Sequence, residues 1–264
     1  MWLTDDAKSL ICDGARRHSF DFSSKGHVNL ALAQSGAGDS KEAVRSRSDF
    51  LNKGYYAPIR EKLCGLLLKY KNDGFVIDAG CGEGYYTEGI AERGYLTAGF
   101  DLSKFAVMSA ASRMRCKQDI RRFAGVASVF ELPIKSGSAD AIVNIFAPCA
   151  EEEFARVMKD EGILIVVSAG EEHLMGLKRA MYNEVRKNDE RADMPKGMTC
   201  LAQERLRYIV NIEGNGDILN LFSMTPYYWR TSRADAEKLS GLKSLSTEVD
   251  ILFTVYTKEG KKDR

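Results

Sequence analysis

No apolar run in this 264-residue chain approaches the ~20 residues that cross a bilayer. Its opening, MWLTDDAKSLICDGARRHSF, has no basic segment leading into an apolar one, so it does not read as a secretion signal. No membrane partner is expected, and a cytoplasmic location is. Excess charge is missing too. Lys and Arg number 38 against 37 Asp and Glu, a net charge of +1, so no whole-molecule field advertises nucleic acid and any such partner must be held by a local patch. Six cysteines at 12, 64, 81, 116, 149 and 200 make no C-x-x-C pair, which speaks against a disulfide scaffold and for reduced thiols. There is no internal repeat. What remains is ordinary for a globular protein, 44% hydrophobic and 28% charged, and long enough for one large domain with a small appendage.

The first 53 residues read as irregular, with a loop up to Asp39 and a helix capped by Asp39 or Ser40 running towards Phe50 and Leu51. IREKLCGLLLKYK is an amphipathic helix whose stripe is Ile59, Leu63, Leu66 and Leu67. Strands and helices then alternate. FVIDAG, LTAGFDLS, GVASVF, SADAIVNIFAP and GILIVVSAG read as strands; YYTEGIAERG, FAVMSAASRM, CAEEEFARVMK and HLMGLKRAMYNEVRK read as helices. Nearly unbroken apolar strands in this order predict an α/β fold with a parallel sheet covered on both faces. The tail adds a strand (RLRYIVNI), a helix (GDILNLFSM) and a strand alternating at Val249, Ile251, Phe253 and Val255. That last pattern suggests an antiparallel partner, for about seven strands in all.

Between the first of these strands and its helix stands Asp78-x-Gly80-x-Gly82-x-Gly84. Glycines there let the backbone turn tightly and let a ligand press against main chain. The G-x-G-x-x-G of dinucleotide folds is not met, because its last position falls on Tyr85 or Thr87. Alternate glycines after an acid resemble instead the first motif of class I S-adenosylmethionine methyltransferases, with the Rossmann-like sheet that implies. An acid or backbone carbonyl would accept the methionine ammonium. Asp101, 17 residues beyond Gly84 at the end of the next strand, is placed to accept both ribose hydroxyls. Ala127 and Ser128 would lie near the adenine edge. Cys81 reads as a small filler, since no histidine accompanies it.

A longer match runs from His18 onward. DAGCGEGYYT, NIFAPC and HLMGLKRAMYNEV, with HSFDFSSKGHVNL and GDSKEAVRSRSDFLNKGYYAPI upstream and MTPYYWR downstream, resemble the bacterial large-subunit (23S) rRNA guanine-N1 methyltransferases, a family that includes tylosin-type resistance enzymes. The resemblance implies S-adenosylmethionine as cofactor, 23S rRNA as partner and cofactor contacts from Tyr56, Gly82, Glu83 and His173. It also divides the chain into an arm, 1–53, and a catalytic domain, 54–264. Each residue has a plainer alternative. Tyr56 could be an aromatic packed under the sheet, and His173 a surface histidine, although it follows a strand at the ligand-binding carboxyl edge. In NIFAPC, Phe146 could stack on guanine while Ala147 and Pro148 offer carbonyls, or Phe146 could sit in the core. No residue stands out as the base that removes the guanine N1 proton.

The family opens with a four-ligand zinc knuckle, of which this chain carries only Cys12 and His18, so no metal is expected. Basic residues could compensate for RNA binding: Arg45, Arg47 and Lys53 beside Tyr56, the run from Arg113 to Arg122, and the terminal KEGKKDR. Such runs are also ordinary solvated helix faces, and Arg47 is the candidate for RNA contact. Three functions compete: an rRNA guanine-N1 methyltransferase, a small-molecule methyltransferase, and a silent RNA-binding relic, the last disfavoured by the intact Asp78, glycines and Asp101. Whether two copies pair as a homodimer is left open.

Overall fold

The computed structural model describes residues 2–3, 8–12, 17–31, 38–190 and 195–259. Most of the basic C-terminal tail, residues 260–264, lies outside them. The arm carries more order than its composition promises. Strands β1 (Trp2–Leu3), β2 (Ser9–Ile11) and β3 (Ser19–Asp21) form a small antiparallel sheet, and β4 (His27–Asn29) joins the edge of a larger one. Two helices follow, α1 (Lys41–Asn52) and α2 (Ala57–Tyr70). Ser40 starts α1 by accepting the Ala43 N–H, and Pro58 sits in the first turn of α2, where a missing N–H costs nothing. Ile59, Leu63, Leu66 and Leu67 are all buried, as the stripe requires.

The alternating region gives β5 (Phe75–Ala79), α3 (Tyr85–Glu92), β6 (Leu96–Asp101), α4 (Lys104–Arg113), β7 (Arg122–Val126), β8 (Ala139–Ile145), α5 (Glu151–Val157), β9 (Met158–Ala169) and α6 (Met175–Met181). The tail supplies β10 (Met198–Glu213), α7 (Asn215–Ser223), α8 (Arg233–Glu237) and β11 (Ser244–Lys258). The large sheet runs β10-β11-β9-β8-β5-β6-β7-β4. Pairs from β9 through β4 are parallel, and β11 pairs antiparallel with both β9 and β10, so β11 alone runs against the rest. Seven of these strands are the expected ones. The eighth is β4, contributed by the arm.

Successive residues of a strand face opposite sides, and the two faces build two cores. Ala141, Val143 and Ile145 of β8 join Ile163, Ile165 and Val167 of β9 against α2, α6 and α7. Ile142 and Leu164 between them point to the other face, with Ile77, Phe100, Phe154 and Val157. The expected boundary at residue 53 falls in the turn after α1. Helix α1 nevertheless packs on α7 and α4, and its Phe50 and Leu51 belong to the main core.

Two expected helices are shorter than their sequences suggest. The segment 173–187 is helical only over α6, because Asn188 pulls the chain back. Its amide donates to the carbonyls of Gly170 (3.1 Å), Glu171 (3.3 Å) and His173 (2.8 Å). Helix α5 passes directly into β9 at Met158, whose backbone is already extended.

Gly84 caps α3 at φ 86°, and a Cβ there would lie 2.8 Å from the Ala110 Cα of α4. Neither the conformation nor the contact can relax cheaply. Gly84→Ala is expected to lose about 1–3 kcal/mol of stability, read as a lower urea midpoint at unchanged slope.

Candidate active site

A cleft of about 750 Å³ opens at the carboxyl ends of β5, β6, β8 and β9 and lies within the ~300–1,000 Å³ typical of small-molecule sites. Its floor is the glycine turn. The N–H groups of Gly80 (2.8 Å) and Cys81 (3.0 Å) both donate to the Phe100 carbonyl, and that of Gly82 donates to the Asp101 carboxylate at 3.1 Å. All three glycines have positive φ, but they serve different neighbours. A Cβ on Gly80 would meet Ala147 at 2.5 Å, and one on Gly84 would meet α4. At Gly82 the single neighbour is the Arg47 guanidinium at 3.4 Å, so this glycine presents bare main chain to the cleft. Cys81 is buried, which pushes its thiol far up, so it is not a nucleophile.

Three carboxyl groups gather around the turn, and burial raises all three pKa values. Asp78, 1% exposed, accepts from the Thr87 hydroxyl at 2.5 Å, while its other oxygen has no partner among the described residues. Its pKa reaches about 7, chiefly through burial, with Asp101 and Glu83 adding repulsion. Asp78 lies beneath the turn and not on the cleft wall. Asp101 and Glu83 do line the cleft. The second oxygen of Asp101 accepts the Ser103 N–H at 2.8 Å. Arg47 of α1 is ion-paired with Asp39 and stands 3.8 Å from Glu83. Burial would lower its pKa, but Asp39 and Glu83 outweigh that and push it up. Arg47, the candidate for RNA contact, lines the cleft beside Gly82 with its charge paired to Asp39 and faced by Glu83, which holds α1 over the turn. Ser128 is not on the cleft wall and accepts the Phe130 N–H at 3.2 Å; its neighbours Val129 and Phe130 form the wall.

The opposite wall is aromatic. Phe146 leaves β8 with φ 51°, a strained conformation for a bulky residue, and stands 47% exposed on the cleft, outside the core. Asn144 holds this corner by donating to the carbonyls of Ala79 (3.0 Å) and Pro148 (3.1 Å). The His173 ring lies nearly parallel to Phe146 (11°, centroids 6.2 Å apart), and Tyr56 is 6.3 Å from it on another side. Burial lowers the His173 pKa to about 4, so the ring is neutral at pH 7. Its Nδ1 accepts the Asp250 N–H at 3.4 Å, which puts the proton on Nε2 and makes the ring a donor, not a base. Burial would raise the Asp250 pKa, but the forks of Arg205 (2.7 and 2.6 Å) and Arg207 (3.0 Å) hold it well below the carboxylate range.

Residues 71–215, more than half of the chain, match the family model described as a methyltransferase domain. The chain belongs to that family. Two curated relatives are each 28% identical: a Bacillus subtilis (strain 168) protein carrying the name of a 23S rRNA guanine-N1 methyltransferase, over 93% of this chain and 90% of the relative, and a 23S rRNA (guanine(748)-N1)-methyltransferase of Streptomyces fradiae, over 96% and 92%. Among solved structures, a protein of Bacillus halodurans C-125 described as a methyltransferase superposes with TM-score 0.51 at 11% identity, covering 75% of this chain and 98% of that one. A Bacillus subtilis protein does so with TM-score 0.50 at 17% identity and the same coverage. These two carry the fold alone.

The methyltransferase thus brings Arg47, Tyr56, Gly80, Gly82, Glu83, Asp101, Phe146, Ala147, Pro148 and His173 onto one cleft. It leaves Asp78, Gly84 and Ser128 off the cleft wall. Sequence reading missed Tyr86, which lines the cleft with a buried hydroxyl lacking any hydrogen-bond partner among the described residues. Its one signal was the aromatic pair YYT at the start of α3. Asp250 was hidden in an apolar strand. The arm's Cys12 and His18 meet through a backbone bond of 2.9 Å. Two donors do not fit a four-ligand zinc centre, and no group of three or more His, Cys, Asp or Glu able to hold a metal occurs among the described residues.

An unfolded aspartate ionises near pH 3.9, whereas folded Asp78 does so near 7. Between those values the unfolded chain releases the proton and the folded chain keeps it, so this carboxyl's contribution falls as pH rises, by ~1.4 kcal/mol per unit. Asp78→Asn is expected to gain stability relative to the parent between pH 4 and 7 and to hold a constant difference outside that window. Urea unfolding across pH 3.5–8 checks this.

Proposed function

We propose that this methyltransferase moves a methyl group from S-adenosylmethionine to N1 of a guanine in 23S ribosomal RNA, in the cytoplasm. The observation that carries the reading is one cleft with two unlike walls: an acid-pinned glycine turn on one side, and the strained Phe146-Ala147-Pro148 corner on the other. The names of the two curated relatives support the substrate. The residues present fit the cofactor. Gly82 offers uncovered main chain, Asp101 has oxygens at the wall for ribose hydroxyls, and Tyr86 holds an unsatisfied hydroxyl for a polar partner. Asp78 lies too deep to meet the methionine ammonium, which falls to main-chain carbonyls of the turn.

When bound, S-adenosylmethionine supplies an already activated methyl, so the protein's work is alignment. Phe146 offers its face to the purine, and the Ala147-Pro148 backbone offers acceptors to the base edge. Tyr56 and His173 close the space between the walls, the imidazole donating from Nε2. On the described wall Asp101 accepts two backbone N–H groups and is assigned to the ribose, and no basic imidazole nitrogen is open to take the N1 proton. Glu83 and Asp39 face Arg47, and His173 presents N–H. That proton leaves to solvent. The arm, 1–53, is the part we assign to RNA and 54–264 the catalytic part, although α1 of the arm also roofs the cofactor side.

Asp101→Ala is expected to weaken S-adenosylhomocysteine binding at least tenfold by calorimetry; the chain stays folded but melts lower, because the Gly82 and Ser103 N–H groups lose their acceptor, and equal affinity would remove the ribose assignment. Mass mapping of 23S rRNA from a strain lacking the protein should show one methylguanosine missing. If every one persists, the substrate is not 23S rRNA, and a small molecule becomes the reading.

A further inference from the structure

Past the cleft, the chain runs through Thr225, Pro226 and Tyr227 on the wall and then exposes two large aromatics, Tyr228 and Trp229. Trp229, two residues beyond the cleft-lining Tyr227, is 81% exposed, a large apolar ring left in water. The ring is nonetheless held. It meets Tyr228 edge-on (5.1 Å, 89°), and Tyr228 meets Phe222 of the core (5.4 Å, 62°). The Tyr228 N–H donates to the Thr225 carbonyl (3.2 Å), the Arg230 N–H to the Tyr227 carbonyl (2.9 Å), and the Tyr227 hydroxyl to the Asn188 side chain (2.8 Å). An aromatic chain thus reaches from the interior to an exposed indole on a fixed loop. Beside it Arg230 is exposed, with no acidic partner among the described residues.

We propose that Trp229 is a stacking platform for a nucleotide flanking the target guanine, with Arg230 on the adjoining phosphate. This rests on the rRNA reading above and adds how the RNA is held. Guanine N1 lies on the base-pairing edge, so the guanine must leave its stack to reach the cleft. Its neighbour then loses a stacking partner, and the Trp229 indole replaces it. Stacking suits any base, and an unpaired guanidinium suits a phosphate. A hydrophobic protein partner would need a wider apolar surface than one ring pair beside an arginine.

The chain has two tryptophans, so a Trp2→Phe background leaves Trp229 as sole reporter. Titration with a synthetic RNA hairpin carrying guanines in its loop should quench its emission. With a 23S rRNA transcript as substrate, Trp229→Ala should raise KM about tenfold to a hundredfold, the range of one lost base–aromatic stack. Trp229→Phe should recover most of it, and S-adenosylhomocysteine affinity should match the parent's. Because the ring is exposed, the melting temperature should not move. Unquenched emission, or an unchanged KM in Trp229→Ala while the parent methylates the transcript, overturns the platform alone. Quenching on concentrating the protein without RNA assigns the ring to a second copy and also overturns it. A parent that binds S-adenosylhomocysteine yet methylates no rRNA overturns the rRNA reading, and the platform with it.

Discussion

The Gly82 N–H donating to the Asp101 carboxylate ties two neighbouring strands together at the point where ligands bind. With the paired donation of Gly80 and Cys81 to the Phe100 carbonyl, it holds the turn after β5 against the end of β6. The turn then reaches two further elements. Gly80 is so close to Ala147 that no side chain fits between them, and Gly84 is nearly as close to α4. The glycines therefore have two uses. Two let protein approach protein, and the middle one leaves main chain open to the cleft.

The cleft's electrostatics follow from that geometry. Asp78, Glu83 and Asp101 are gathered within one turn and the next strand end, and burial makes each harder to ionise. Arg47 meets part of this charge, shared with Asp39. An acidic pocket with one internal cation suits a ligand bearing a sulfonium and an ammonium, because such a ligand relieves repulsion already built into the protein. On the far wall the polar groups are spent on shape. Asn144 holds the Phe146 corner, and Asp250, itself held by two arginines, fixes the tautomer of His173. Strain at Phe146 is tolerated because these bonds leave the corner no alternative.

Periodicity made the parallel sheet, the reversed final strand and the stripe of α2 legible from residues alone, because each is a local pattern of apolar spacing. The acid-glycine turn and Asp101 were legible for the same reason: a tight turn after a strand needs glycines in fixed places. The arm was not. Strand β4 has three residues and is defined by pairing with β7, which lies almost a hundred residues later. Helix α6 reads as longer than it is because the bonds that stop it come from Asn188, outside its own sequence.

Local spacing by itself determined the order of elements, the turn and the acid beside it, since those depend on conformations that few residues tolerate. Only the tertiary structure decided where side chains point and which charges meet. Arg47, a basic residue in a basic stretch, becomes an internal clamp because Asp39 and Glu83 fold against it. Phe146 is expelled from the core by a backbone angle. Tyr86 faces the cleft with an empty hydroxyl. Charge pairing and burial are set by residues distant in the chain, and no pattern along one strand or helix contains them.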